Sequence, residues 1–329
     1  MLRWMKYLAA SATLAFLAAC GSDDDDHEPV VQTPGNIAEV ATDAGFSALV
    51  AAAQKANLVG ALTAPNANLT VFAPTNAAFD SLATTLGFTD AGAMVAALPA
   101  EALAKVLTYH IVPGRKTAAD IVAAGATSTQ PTLYTFEGTA ATLAVRTTGG
   151  VSITDEVLTT ATVTTADVAA SNGVIHVVDK VLVPPGVLNL AQMAQINPAF
   201  SILVEAVVKA DLVGALSGTD KLTVFAPTND AFAALLGELN VTKEQLLDLP
   251  ILGDVLLYHV VAGDVRAADV VALAKPAPVE TLQGEAFTVG TDLGLVDANG
   301  RAATLVATDV VASNGVIHVI DRVILPTLP

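Results

Sequence analysis

Cysteine occurs once in the 329 residues, at Cys20. No disulfide can therefore close within the chain. Tryptophan also occurs once, at Trp4, and aromatic residues make up only 5% of the whole, so any core must be built mainly from aliphatic side chains. Basic residues are scarce: 15 Lys and Arg stand against 32 Asp and Glu, for a net charge of −17. That balance argues against nucleic acid as a partner, because its phosphates require clustered Lys and Arg. It argues equally against adsorption to anionic lipid. Partners should be neutral, cationic or bridged by divalent ions. Beyond residue 20 no run of 18 apolar residues occurs, so no second membrane span is expected. Apolar residues are nevertheless 53% of the chain, largely Ala, Val and Leu in short runs, enough for a well-filled core.

Residues 1–20 have the pattern of an export segment. Arg3 and Lys6 form a basic start and Tyr7 to Ala19 an apolar run. The run ends in Leu17-Ala18-Ala19-Cys20, which resembles a bacterial lipobox. That resemblance implies cleavage before Cys20 and lipid on its sulfur and new amine. The other reading is an ordinary secretory signal with Cys20 inside its apolar run. Several acyl chains would hold a protein firmly to a bilayer where one would not. Removal of residues 1–19 takes away Arg3 and Lys6 and no acid, leaving 13 basic against 32 acidic side chains.

Residues 21–35, GSDDDDHEPVVQTPG, read as an acidic, disordered tether with almost nothing to bury. Gly21, rather than Asp, follows the cysteine. By resemblance to Gram-negative lipoproteins this favours the outer membrane. The Asp23–Asp26 run also resembles surface-export tags of some bacteria.

The rest of the chain is organised around Thr70 to Phe79, TVFAPTNAAF, which returns at Thr223 to Phe232 as TVFAPTNDAF. Its start suits a buried strand, being β-branched and aromatic. Pro74 stops the strand. Thr75 and Asn76 are both good N-caps, and Phe79, Leu82 and Leu86 then follow helical spacing.

The repeat extends over the whole body. Asn36 with Glu39 and Asn189 with Gln192 form capping-box patterns. Two amphipathic helices follow, each expected to finish in Leu-Val-Gly-Ala-Leu, at Leu58 and Leu212, with the glycine as C-cap. After the ten-residue motif, another helix in each copy runs into Tyr109-His110 and Tyr258-His259. The second half of each copy alternates Thr, Val and Leu as strands do. Asn172-Gly173, Asn314-Gly315 and Asn299-Gly300 predict hairpins whose turn residues tolerate positive φ. The offset between copies falls from 154 at Phe46 and Phe200 to 142 at Asp167 and Asp309, so the second copy has lost loop residues. Pro184-Pro185-Gly186 is a short, stiff linker. The expected organisation is thus 1–20 signal, 21–35 tether, 36–185 first domain and 186–329 second domain.

TVFAPTNxAF, the Tyr-His pair and SNGVIHV-x-D-x-V-x-x-P, each present twice and in order, resemble the fasciclin-like domain. The resemblance covers 36–185 and 186–329. It implies an α+β fold, several helices packed on a wedge of mainly antiparallel strands in each of two tandem domains. It also implies an exported adhesion or matrix-interaction module with neither catalysis nor cofactor. In animal relatives the Tyr-His region has been linked to integrin binding, which makes Tyr109, His110, Tyr258 and His259 the candidate partner contacts. The flanking IVPGRK and VVAGDV contain no integrin tripeptide.

Chemistry-bearing residues are few. His110, His176, His259 and His318 fit core positions better than metal ligands, since no third ligand stands at zinc-like spacing. His110 and His259 fall near helix ends, where the dipole favours them. Asp167, Asp179, Asp309 and Asp321 read as hairpin and edge charges. No phosphate loop or catalytic serine stands out. The expected function is a lipid-anchored cell-envelope adhesion module for an unidentified protein or polysaccharide surface, attached to the membrane through its N-terminal lipid alone. The alternatives are a periplasmic binder of a small apolar ligand or lipid, and a structural envelope spacer.

Overall fold

The ten-residue motif lies at the centre of each half. The computed structural model describes residues 33–272, 276–290 and 294–327. Cys20, Arg3, Lys6 and the Asp23–Asp26 run lie outside the described residues.

The first half runs α1 (Ile37–Asp43), α2 (Ser47–Lys55), α3 (Val59–Thr63), β1 (Leu69–Pro74), α4 (Asn76–Thr85), α5 (Ala91–Ala97), α6 (Ala100–Tyr109) and β2 (Ile111–Pro113). It continues with α7 (Ala118–Ala123), β3 (Thr127–Phe136), β4 (Thr139–Arg146), β5 (Ser152–Thr154), β6 (Thr160–Ala170) and β7 (Gly173–Val178). The second half repeats the path: α8 (Leu190–Ile196), α9 (Ser201–Lys209), α10 (Val213–Leu216), β8 (Leu222–Pro227), α11 (Asn229–Leu239), α12 (Lys243–Leu247), α13 (Leu252–Tyr258) and β9 (Val260–Ala262). It closes with α14 (Ala267–Ala272), β10 (Ala277–Glu280), β11 (Ala286–Val289), β12 (Leu295–Val296), β13 (Ala302–Ala303), β14 (Leu305–Ala312) and β15 (Gly315–Ile320).

In the first half the strand order is β2-β1-β7-β6-β5-β4-β3. All neighbours are antiparallel except the motif strand β1 and the closing strand β7, which run parallel with Leu69 opposite Gly173. The second half splits the same path into β10-β11-β12-β13 and β14-β15-β8-β9, again with one parallel pair, β8 and β15. The shorter offset comes mainly from this wedge, where the ten- and eight-residue strands β3 and β4 correspond to four-residue strands β10 and β11.

Every residue of β1 and β7 is buried, because the pair carries a core on each face. Val71, Ala73, Ile175 and Val177 face the helices; Phe72, Val112 and Val178 face Tyr109 and Tyr134 in the wedge. β8 and β15 repeat this, with Val224 and Ile317 toward helices and Phe225 and Ile320 toward Phe287. Pleating sends alternate side chains to opposite faces, so one apolar strand pair serves two cores.

The capping boxes at Asn36 and Asn189 form as expected, and Thr75 caps α4. Asn76 does something the local pattern does not reveal. Its side chain accepts the Ala48 N–H at 3.0 Å and donates to the Gly45 carbonyl at 2.9 Å, fastening the start of α2, which has no cap of its own. Asn229 does the same for Ile202 and Pro198 in the second half.

Two turn expectations need correction. Gly60 does not cap α2; it lies within α3. The left-handed residue after α2 is Asn57, and Asp211 takes that role after α9 (φ +57° at both). A short polar side chain tolerates this conformation by bonding locally. The Asn-Gly turns form, but Asn172 and Asn314 are not left-handed. Glycine follows each for want of room: a Cβ on Gly173 would collide with the Leu69 carbonyl of the adjacent strand, and one on Gly315 with that of Leu222.

The described residues from Pro34 onward pack as one unit. Val157 and Val183 of the first half are buried in the helical core of the second. Each such valine contributes about 1.5–3 kcal/mol by leaving water. Hydrogen bonds reinforce the junction. Gly186 of the linker donates to the Val311 carbonyl at 3.0 Å, and the Asn197 side-chain amide donates to the Val157 carbonyl at 2.8 Å. The linker thus follows the edge of β14.

Candidate functional site

The Tyr-His pairs end α6 and α13, and all four side chains are 2% exposed or less. In this conformation an approaching partner would meet residues around them, not the side chains themselves. Tyr109 donates to the Thr142 carbonyl (3.0 Å) and Tyr258 to that of Ala286 (3.1 Å), holding each helix to the wedge. Burial pushes the Tyr109 phenol well above its ordinary value and that of Tyr258 up to about 12.

His110 is the C-cap of α6. Its Nδ1 lies 2.7 Å from the Val106 carbonyl and its Nε2 receives the Leu182 N–H at 2.8 Å. A carbonyl on one side and an N–H on the other fix a neutral ring with the proton on Nδ1. His259 repeats this with Val255 and Ile324. Burial lowers both rings to about 4. The strand histidines hold the opposite tautomer. His176 accepts the Asp167 N–H on Nδ1 and donates from Nε2 to Lys116; His318 does so with Asp309 and Val265. Neither ring nitrogen of any of the four is left for a metal. Among the described residues no three His, Cys, Asp or Glu converge as a metal site.

Asp167 and Asp309 are more than edge charges. Both are left-handed (φ +57° and +59°), and their carboxylates accept the Ala118 and Ala267 N–H groups that open α7 and α14. Asp179 and Asp321 accept the Thr162 and Thr304 N–H groups just beyond the last paired residues of β6–β7 and β14–β15.

Sequence patterns did not single out the buried acids. Asp155 accepts from Thr159 N–H, Thr159 Oγ1 and Val183 N–H. Burial pushes it up to about 6 against the pull of those donors. Asp297 takes the equivalent place, receiving Asn299, Arg301 and Leu325 N–H groups. Glu156 crosses the junction and accepts the Val311 N–H at 2.8 Å, and burial pushes it up to about 7. The equal spacing of Asp155 and Asp297 within the copies was the available signal.

Each domain also contains an apolar cavity, in the same place, between its first helices and the motif strand. In the first, of about 110 Å³, the floor includes Ile37, Leu49, Ala53, Val71 and Ile175. In the second, of about 50 Å³, Leu190, Leu203, Val207, Val224 and Ile317 take those positions.

The fasciclin-domain family model matches residues 44–184 and 198–326. Protein sll1483 of Synechocystis sp. is 49% identical over 145 residues, 43% of this chain and 75% of that protein. The fasciclin-like arabinogalactan protein elcF of Phaeosphaeria nodorum is 31% identical over 265 residues, 79% of this chain and 78% of its own. Among solved structures, a FAS1 domain pair from the insect cell adhesion molecule Fasciclin I aligns over 87% of this chain and 95% of its own, at 20% identity and a TM-score of 0.45. With both halves matched by one family model, over the same strand pair, capped helices and Tyr-His turn in each, the chain belongs to the fasciclin-domain family and carries two copies in tandem.

Proposed function

We propose that this chain is a non-catalytic adhesion or matrix-interaction module of the cell envelope, exported and held at the outer membrane by lipid on Cys20. Its partner in this reading is a protein or polysaccharide surface, neither nucleic acid nor a charged bilayer face. Family membership supports adhesion, the Leu17–Cys20 segment supports the anchor, and the acidic balance of the chain supports the exclusion of polyanions.

The observation that carries the reading is the junction. Val157 and Val183 lie inside the second domain's core, and Glu156 and the linker bond to β14. Two similarly built faces are therefore presented at a fixed separation. A rigid pair of weak sites gains avidity on a repetitive surface without any new contact. Any partner face must lie outside the Tyr-His pairs, among exposed residues.

The test is retention of the whole chain on panels of the producing cells, their exopolysaccharide and matrix proteins. Saturable binding to one class is expected. Absence of retention on every surface would overturn the proposal.

A further inference from the structure

We infer that the first domain's cavity is a binding site for the end of a short aliphatic chain whose head group is uncharged or cationic. Four observations lead to this chemistry. First, no polar group inside is available to water. The buried polar side chain at the cavity, His110, has both ring nitrogens engaged, by Val106 and Leu182. A cavity without polar partners stays dry and takes apolar guests; one of about 150 Å³ admits benzene. At about 110 Å³ this one is somewhat smaller.

Second, its lining contains no phenylalanine, tyrosine or tryptophan. Apart from the engaged His110 ring its walls are aliphatic, which suits a flexible alkyl chain. Third, the mouth is polar at its edge. Thr42 on α1 and Gln54 on α2 line the opening and are exposed, whereas Leu49 and Ala53 below them are buried. A head group would rest at that rim. Fourth, no Lys or Arg lines the cavity or its mouth, and the chain carries a net charge of −17, so nothing there would pair a carboxylate head.

The second domain provides an internal comparison. Val207 stands where the first domain has Ala53, and Val208 where it has Gln54. The two cavities differ by about 60 Å³. The two extra methyl groups of Val207 take space at the floor that Ala53 leaves open. The same fold therefore has a larger and a smaller version of one site, and Ala53 against Val207 is the difference at its floor.

The experiment uses the whole chain with isotope-labelled Ile, Leu and Val methyl groups, titrated with butylamine, pentylamine, pentanol and pentanoate. Pentylamine and pentanol are expected to shift the Ile37, Leu49 and Ile175 methyl signals in saturable fashion. Affinity should rise about fourfold from butylamine to pentylamine, which is about 0.8 kcal/mol for one buried methylene. Pentanoate should bind more weakly than either. Ala53→Val should abolish the response. Should that variant fail to fold, Val207→Ala decides the matter, because it should add a second site reported by the Leu190 and Ile317 methyls. Unmoved methyl signals at saturating pentylamine, affinity independent of chain length, or no gain in Val207→Ala would each overturn the proposal and leave a packing void only.

Discussion

Glu156 offers the sharpest test of the domain junction. Its carboxylate accepts the Val311 N–H from the other domain, and burial raises it from 4.5 to about 7. Asp155 and Asp309 push in the same direction, while Arg266 and the Val311 N–H oppose. Below about pH 4.5 the folded and unfolded chains both hold the proton. Between there and about 7 only the folded chain holds it, so stability falls as pH rises through this window. At about 1.36 kcal/mol per pH unit the full loss is somewhat over 3 kcal/mol, or about 2 once partial exposure to water is allowed for. Glu156→Gln keeps an oxygen for the Val311 N–H and removes the titration. Urea unfolding of both proteins at about pH 5 and about pH 8 measures the effect. The variant should gain about 2 kcal/mol on the wild type between the two conditions. Titrating groups that do not interact with Glu156 are common to both proteins and cancel in the difference. A wild-type-to-variant gap that is the same at both pH values would refute the reasoning.

The buried histidines predict an opposing effect: their folded values near 4 lie below the unfolded 6.5, so the stability they confer is present above 6.5 and lost as pH falls toward 4, which acid titration of unfolding in His110→Gln and His259→Gln should show as a shallower slope. Nitrogen-15 spectra of the imidazoles should place the proton on Nδ1 in His110 and His259 and on Nε2 in His176 and His318. Asn172→Ala removes bonds to Ile37, Leu62 and Ala64, and thermal unfolding should register a loss of about 2–4 kcal/mol. Gly173→Ala forces its Cβ against the Leu69 carbonyl and should cost more than Gly45→Ala, where the space is open and only the positive φ opposes the change; denaturant midpoints compare the two.

Much of this architecture was legible because it is written locally and twice. Strand, proline stop, Thr75 cap and apolar helix face all lie within a few residues of one another. The capping boxes are equally local. What escaped is what joins distant segments. Asn76 reads as a helix start, yet its amide fastens a helix 28 residues earlier in the chain. Asn172 reads as a turn residue, yet it receives the Ile37 N–H from 135 residues away. Glu156 sits in an unremarkable Thr-Asp-Glu-Val run and finds its partner 155 residues later. Periodicity and spacing describe faces of single elements, and carry no information about which faces meet. The Tyr-His pairs are the converse case. Their repetition marks them as consequential, and the structure places them in tyrosine-to-wedge and histidine-to-backbone bonds that close each fold.

The two valines that cross the junction also bear on how such a gene can change. A recombination at the Pro184-Pro185-Gly186 seam looks harmless in the sequence, since it falls between repeats. It would nevertheless deliver a second copy with the places of Val157 and Val183 vacant in its core and the edge of β14 uncovered. The first copy supplies those groups to the second. The duplicates have therefore become one unit of inheritance: exchange with a single-domain relative would have to carry the seam along with residues 156–157, or repair the loss at the same step.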